Sequence, residues 1–182
     1  MRTKAIILKK QNTGEYDQLV TCYTQEFGKI TAVAKSALKP NSIQAMHVDI
    51  FNMVDFELIN GRATPIIAGA QLERAYGNMK TNLTSLAGAY FFAEVFDKLV
   101  FDYQRDNGIW DFLNNLLDDL DSTQEDFREL FRVKQASLIG LLGYSPTMNS
   151  IELLSIPAMN AIFESLAEKR INSLNLINYV LK

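Results

Sequence analysis

Residues 53–61, Met53-Val54-Asp55-Phe56-Glu57-Leu58-Ile59-Asn60-Gly61, decide the class of the first half of the chain. Val54, Phe56 and Leu58 alternate with Asp55 and Glu57. A period of two places one set on the core face of a strand and the other in water. Asn60-Gly61 then supplies the strongest two-residue hairpin signal. The apolar run containing this stretch begins at Met46. Toward the N-terminus stand three more runs: Ile30 to Ala34, opened by Gly28-Lys29; Leu19 to Thr24; and Ala5 to Leu8. Beyond the turn, Pro65 to Leu72 supplies a fifth.

Five short strands with turn chemistry between them predict a small barrel or sandwich. A five-stranded barrel of this size fits the OB-fold, whose face and loops commonly bind oligonucleotides. Near Gly77 the period changes from 2 to 3.6. Leu83 to Tyr103 is apolar almost all round, with Glu94 and Lys98 on a narrow polar stripe, as in a core helix. Trp110, Leu113, Leu116, Leu117 and Leu120 follow helical spacing, with Asn107 as cap. Ser122-x-x-Glu125 reads as a capping box before a third helix carrying Phe127, Leu130, Phe131, Leu138, Leu141 and Leu142. Gly143 and Pro146 end it. Pro157 suits the first turn of a fourth helix, and Leu174 to Leu181 forms a last one. The expected architecture is α+β: an N-terminal five-stranded OB-fold β-barrel, residues 1–77, packed against a C-terminal α-helical domain, residues 78–182.

Composition narrows the chemistry. One Cys and one His among 182 residues cannot supply a disulfide framework, a multi-cysteine zinc site or a multi-histidine metal site. The most apolar stretch, Leu86 to Val100, contains Glu94, Asp97 and Lys98 and is too short for a bilayer span. Met-Arg-Thr-Lys leads into only four apolar residues before Lys9, too few for a signal peptide. The expectation is a cytoplasmic, nucleoid-associated protein without membrane contact. The net charge of −3 divides into +2 over residues 1–78 and −5 over residues 79–182. Residues 1–48 hold seven Lys/Arg against three Asp/Glu, a basic head that permits nucleic-acid binding.

The candidate catalytic groups have bland readings. Glu15 and Asp17 flank Tyr16 in a loop, and Asp118, Asp119 and Asp121 form a solvated acidic helix end. Cys22 lies inside a strand as a small hydrophobe. His47 has no evident partner, Ser36 and Ser42 lack a glycine-elbow context, and no phosphate-cradling glycine motif occurs. No catalytic residue, cofactor or metal is assigned. The remaining signal is cationic: Arg2, Lys9, Lys10, Lys29, Lys35 and Lys39, with Lys4 in the same run. Curling the sheet lets several of these share a rim that tracks a phosphate backbone. Tyr16, Tyr23 and Phe27 are the nearby aromatics able to stack bases.

The order of four segments resembles the N-terminal domain of the bacterial RecO family. These are Ala5-Ile6-Ile7-Leu8-Lys9; Gly14-Glu15-Tyr16-Asp17-Gln18-Leu19-Val20; Tyr23-Thr24-Gln25-Glu26-Phe27-Gly28-Lys29-Ile30; and Val33-Ala34-Lys35-Ser36-Ala37. In the helical half, Tyr90 and Glu94-Val95 are similar to the family's "Y-x-x-E-L" signature, and Gly140-x-x-Gly143-Tyr144-Ser145-Pro146 to its "G-x-x-P" exit. The resemblance implies binding of single- and double-stranded DNA and strand annealing. It also implies a non-catalytic mediator role in loading RecA onto DNA coated by single-strand-binding protein. The partners it implies are RecR and the acidic C-terminal tail of that binding protein.

Two features depart from the family pattern. Pro146 is followed by Thr147-Met148-Asn149-Ser150, without the family's zinc-binding cysteine module, and the chain is shorter than usual. Ser36 stands where Gly is usual, and Leu38 and Asn41 where basic residues are common. A thinner basic loop keeps open an alternative, a protein-interaction adaptor whose barrel has lost most DNA affinity. The tail is expected to dock on the third helix, at Phe127, Arg128, Phe131, Arg132 and Lys134. Four cations on DNA, Arg2, Lys10, Lys35 and Lys39, imply a log–log salt slope of roughly −3 for single strands.

Overall fold

Strand β1 (Arg2–Thr13) pairs with β2 (Asp17–Thr24) and with β4 (Met53–Ile59), and β2 pairs with β3 (Gly28–Ala34), all antiparallel. Strand β5 (Ile66–Arg74) pairs antiparallel with β4 and parallel with β3, which closes the barrel in the order β1-β2-β3-β5-β4. That order and closure are those of an OB-fold. The computed structural model describes residues 1–42, 47–122, 126–144 and 154–182.

The period-two reading of residues 53–59 holds. Val54, Phe56 and Leu58 are buried in the barrel core, while Glu57 and Ile59 are exposed. Ile7, Val20, Cys22, Ile30 and Ile67 complete that core. Strand β1 runs longer than its apolar run because Lys9 to Thr13 pair with Thr21 to Asp17 past an irregularity between Ile7 and Lys9. Strand β4 starts at Met53, later than expected. Phe51 takes a left-handed backbone, φ 63°, and its N–H donates to the Ile7 carbonyl at 2.8 Å. Met46 lies outside the described residues. Asn60-Gly61 does not form a two-residue hairpin. Ile59 pairs with Ile66, leaving a six-residue loop, and the Pro65 carbonyl accepts from the Val33 N–H at 2.8 Å. Closing the barrel onto β3 therefore overrides the local turn preference.

The chain divides into two compact units, Met1–Tyr76 with Val100–Trp110, and Gly77–Leu99 with Asp111–Lys182. In the first, the segment after Val100 lies along β3. Lys29 and Asp102 form a parallel bridge, and the Tyr103 N–H donates to the Lys29 carbonyl at 2.8 Å. The Tyr23 hydroxyl donates to the Asp106 carbonyl and accepts from the Asp106 N–H, both at 3.1 Å. A β-carbon on Gly28 would lie 2.1 Å from the Gln104 carbonyl oxygen, so only glycine permits this approach.

The helices are α1 (Gly77–Thr81), α2 (Leu83–Leu99), α3 (Asn107–Asp121), α4 (Phe127–Leu141), α5 (Ile156–Ala167) and α6 (Leu174–Val180). Helix α2 stops at Leu99, short of the expected Tyr103, because the following backbone is committed to β3. The cap of α3 is Asp106, whose carboxylate accepts from Gly108 and Ile109 N–H, and not Asn107. Helix α4 is capped by Asp126, which accepts from the Glu129 N–H at 3.1 Å. The capping-box residue Glu125 lies outside the described residues, as does the exit from Ser145 through Ser150. Gly143 ends α4 with φ 80°, and Pro157 occupies the first turn of α5, both as expected.

Phe91 centres the second unit's core, with ring centroids 5.2 Å from Phe92, 5.0 Å from Phe131 and 5.7 Å from Phe163. Glu94 joins α2 to the turn before α6: its carboxylate accepts from Lys98 Nζ at 2.7 Å and from the Asn172 and Ser173 N–H groups. Burial alone would push this carboxyl up. The Lys98 ammonium and the two backbone donors outweigh it and hold the pKa down, to about 2. The folded state thus favours the ionised form. Its stabilisation is full above the ordinary value of 4.5 and is lost as pH falls toward 2. Glu94→Gln should lower stability at neutral pH by about 1–2 kcal/mol, after allowance for solvent screening. The gap from the parent should close as urea titrations move from pH 5 toward pH 2. A gap that persists unchanged at the acid end would show that ionisation is not its source.

Candidate nucleic-acid interface

The loop Gly14–Tyr16 joins β1 to β2, and Lys35 begins the chain that leaves β3. Antiparallel pairing of β2 with β3, Gln18 against Ala34, brings these segments together. The Ser36 N–H donates to the Asp17 carboxylate at 2.7 Å, and the Leu38 N–H to the Tyr16 carbonyl at 2.9 Å. Lys39 Nζ lies over the Tyr16 ring, 5.6 Å from its centroid. Lys35, Leu38, Lys39 and Pro40 are exposed, and Ala37 anchors the loop in the barrel core.

The six cations expected to bind phosphate do not share one rim. Arg2 opens β1 and Lys29 opens β3, so both stand at the opposite ends of their strands from the Tyr16 loop and Lys35. Arg2 Nε donates to both Asp55 carboxylate oxygens at 2.9 Å. The neighbouring Lys4 pairs with Glu73 at 3.0 Å. Lys29 is buried and its ammonium lies 3.2 Å from Asp102. Lys10, in the last third of β1 on the side of the Tyr16 loop, pairs with Asp49 at 2.9 Å, and Lys9 beside it is half-buried. Lys35 and Lys39 thus differ from Arg2, Lys10 and Lys29: no ion pair holds them among the described residues. Of the three candidate aromatics, Tyr23 is fully buried with its hydroxyl engaged, and Phe27 packs on the barrel core. Tyr16 remains, 42% exposed.

Cys22 is fully buried, and burial pushes its thiol far up, so thiolate chemistry is disfavoured there. The acidic residues of α3 are individually engaged: Asp119 pairs with Lys134 at 2.5 Å, and Asp121 accepts from the Met79 N–H at 2.8 Å.

The expected partner residues on α4 also separate. Phe131 is buried and Phe127 stacks on it at 5.6 Å, so both serve the core. Arg132 pairs with Glu129 at 2.6 Å, and Lys134 with Asp119. Arg128 alone of the five lines a cleft of about 390 Å³, between α4, α5 and α6. Its walls include Ile156, Pro157, Ala161, Leu174 and Leu181, with Asn160, Glu164 and Asn178 as polar members. The Arg128 guanidinium donates to the Leu181 carbonyl. Buried Gln135 donates to Asn160 Oδ1 at 2.6 Å, which fixes this amide at the cleft wall.

Residues 1–76 match the family described as Recombination protein O N terminal, and residues 80–151 match Recombination protein O C terminal. The chain belongs to the RecO family. Three relatives bear the name DNA repair protein RecO. That of Thermoanaerobacter sp. (strain X514) is 28% identical over 150 residues, 82% of this chain and 60% of the relative. That of Acetivibrio thermocellus is 24% identical over 166 residues, 91% of this chain and 64% of the relative. That of Roseiflexus sp. (strain RS-1) is 30% identical over 147 residues, 81% of this chain and 51% of the relative. The chain spans between half and two thirds of the length of these RecO relatives.

Several residues that carry the RecO resemblance have a structural task here. Gly14, at φ 61°, turns the first loop, and Asp17 ties that loop to Ser36. Gly28 admits the Gln104 carbonyl. Ser36 adopts φ 55°, a left-handed backbone that favours glycine. Glu94 of the helical signature fastens the turn at Asn172-Ser173. Among the described residues no helix is long and apolar enough to cross a membrane.

Proposed function

We propose that this RecO-family chain is a non-catalytic DNA-binding factor of DNA repair that contacts the phosphate backbone through Lys35 and Lys39. The observation that carries the reading is the contrast among the basic residues: Arg2, Lys4, Lys10 and Lys29 face carboxylates, whereas Lys35 and Lys39 extend from the exposed loop beside Tyr16. In an OB-fold the loop between the first two strands commonly contacts oligonucleotides. DNA repair is the role printed in the relatives' name. Annealing of DNA, loading of RecA onto DNA coated by single-strand-binding protein, and partnership with RecR belong to the same reading through the family. Titration of labelled single-stranded oligonucleotide tests it. Binding at low salt that weakens steadily at moderate salt is the expected result. No binding at low salt contradicts it.

The adaptor reading is favoured by the Arg128 cleft. An apolar wall with the Arg128 guanidinium and amide groups at its edge suits the terminal aromatic residue and free carboxylate of a peptide such as the tail of single-strand-binding protein, while the Glu164 carboxylate in the same lining opposes further acidic residues there. Arg128→Glu should weaken such a peptide at least about tenfold, the scale of one lost charge-assisted contact. Unchanged affinity in calorimetry would remove the cleft as the docking site. If the peptide binds while no oligonucleotide does, the adaptor reading replaces the first.

A further inference from the structure

We propose that Tyr16 is a base-stacking platform that gives this site a preference for unpaired over paired nucleic acid. The inference rests on the reading of the Lys35–Lys39 loop as a DNA contact, and adds what that loop selects.

Tyr16 is exposed at the tip of the β1–β2 loop, although no core packing requires an aromatic there. Its backbone is fixed on the basic loop by the Leu38 N–H at 2.9 Å, and the next residue, Asp17, by the Ser36 N–H at 2.7 Å. The ring therefore belongs to the same hydrogen-bonded corner as the two lysines. Its visible occupant is the Lys39 ammonium, 5.6 Å from the centroid. A cation–π contact at an exposed site is worth only about two- to fivefold in an equilibrium. Stacking of a base on an aromatic ring is worth roughly five- to a hundredfold. A base can thus displace the ammonium, and the released ammonium is left beside the strand that carries that base. Its natural partner is the adjacent phosphate. Glu15, exposed next to Tyr16, opposes phosphate in the immediate loop, which leaves the base as the favoured contact of the ring and Lys35 and Lys39 as those of the backbone.

This geometry discriminates by base availability. A strand of unpaired bases offers a free π-face at every residue. Inside a duplex each face is already stacked on its neighbours, so Tyr16 gains nothing except at the two terminal pairs, and along the rest only the phosphate contacts remain. Stacking is tolerant of base identity, so no sequence preference follows.

The test compares the parent protein, Tyr16→Ala and Tyr16→Phe on three labelled probes of equal length: oligothymidine, an abasic strand and a blunt duplex. Tyr16→Ala is expected to weaken oligothymidine about tenfold, on the scale of one stacked base, and to leave the abasic strand and the duplex unchanged. Tyr16→Phe keeps the π-face and is expected to bind all three like the parent. Unchanged oligothymidine binding by Tyr16→Ala overturns the stacking role and leaves the lysine contact standing. An equal loss on all three probes also overturns it, because the ring would then act only by placing Lys39. If the parent binds none of the three, the DNA reading falls and the stacking role falls with it.

Discussion

Phe91→Ala is expected to destabilise the helical unit by about 3–5 kcal/mol, the usual cost of emptying a buried phenyl site. Phe91 is completely buried in α2 and meets three other rings edge-on, Phe92, Phe131 and Phe163, all within 5.7 Å between centroids. Truncation removes the transfer free energy of the ring. It also removes three aromatic contacts, each worth about 0.5–1.5 kcal/mol in favourable geometry. Helices α4 and α5 supply two of these partners, so collapse around the hole would have to move whole helices. A domain of this size is stable by only about 5–15 kcal/mol, so the loss is a large fraction. Tyr179→Ala, at a largely exposed site on α6, should change stability by less than about 0.5 kcal/mol. Urea unfolding followed by far-ultraviolet circular dichroism reads both. An unchanged midpoint for Phe91→Ala would show that the ring cluster does not hold the unit together.

The strands were legible wherever alternation decides burial. Val54, Phe56 and Leu58 point inward because a strand turns each successive side chain over, whatever the rest of the chain does. The errors fall where a distant partner overrides a local preference. Asn60-Gly61 favours a tight hairpin, yet closing β5 onto β3 takes the loop to Pro65. The apolar run from Leu83 continues to Tyr103, yet Lys29 and Tyr23 claim the backbone after Val100. Asp106 rather than Asn107 caps α3, a displacement of one residue that spacing alone does not resolve.

The candidate site was legible as a set of residue types and not as a place. Seven basic residues in the first 48 mark the barrel as the electropositive part. Their pairing depends on contacts remote in sequence, Arg2 with Asp55 and Lys10 with Asp49, which no short-range pattern reveals. The Arg128 cleft is another case. Its walls come from three helices spread over more than 50 residues, so no single stretch of sequence displays it.

The substitution Lys35→Glu with Lys39→Glu should have the largest functional effect. Each lysine that neutralises one phosphate of a single strand contributes about −0.7 to the log–log salt slope, so the two contribute about −1.4. The four-cation slope of roughly −3 shrinks accordingly, since Arg2 and Lys10 are held by Asp55 and Asp49. Loss of two phosphate contacts at moderate salt, with two carboxylates in their place, should weaken binding roughly 30- to 100-fold. The loss should be the same for every base sequence, because phosphate contacts carry no direct sequence information. Folding should be nearly unaffected, because both side chains are exposed. The deciding measurement is the affinity of parent and double variant for labelled oligothymidine across a series of salt concentrations. A parent slope steeper than that of the variant by about 1.4, with the loss of affinity greatest at low salt, is the predicted result. Parallel lines of equal affinity would contradict the assignment of this loop as the DNA contact.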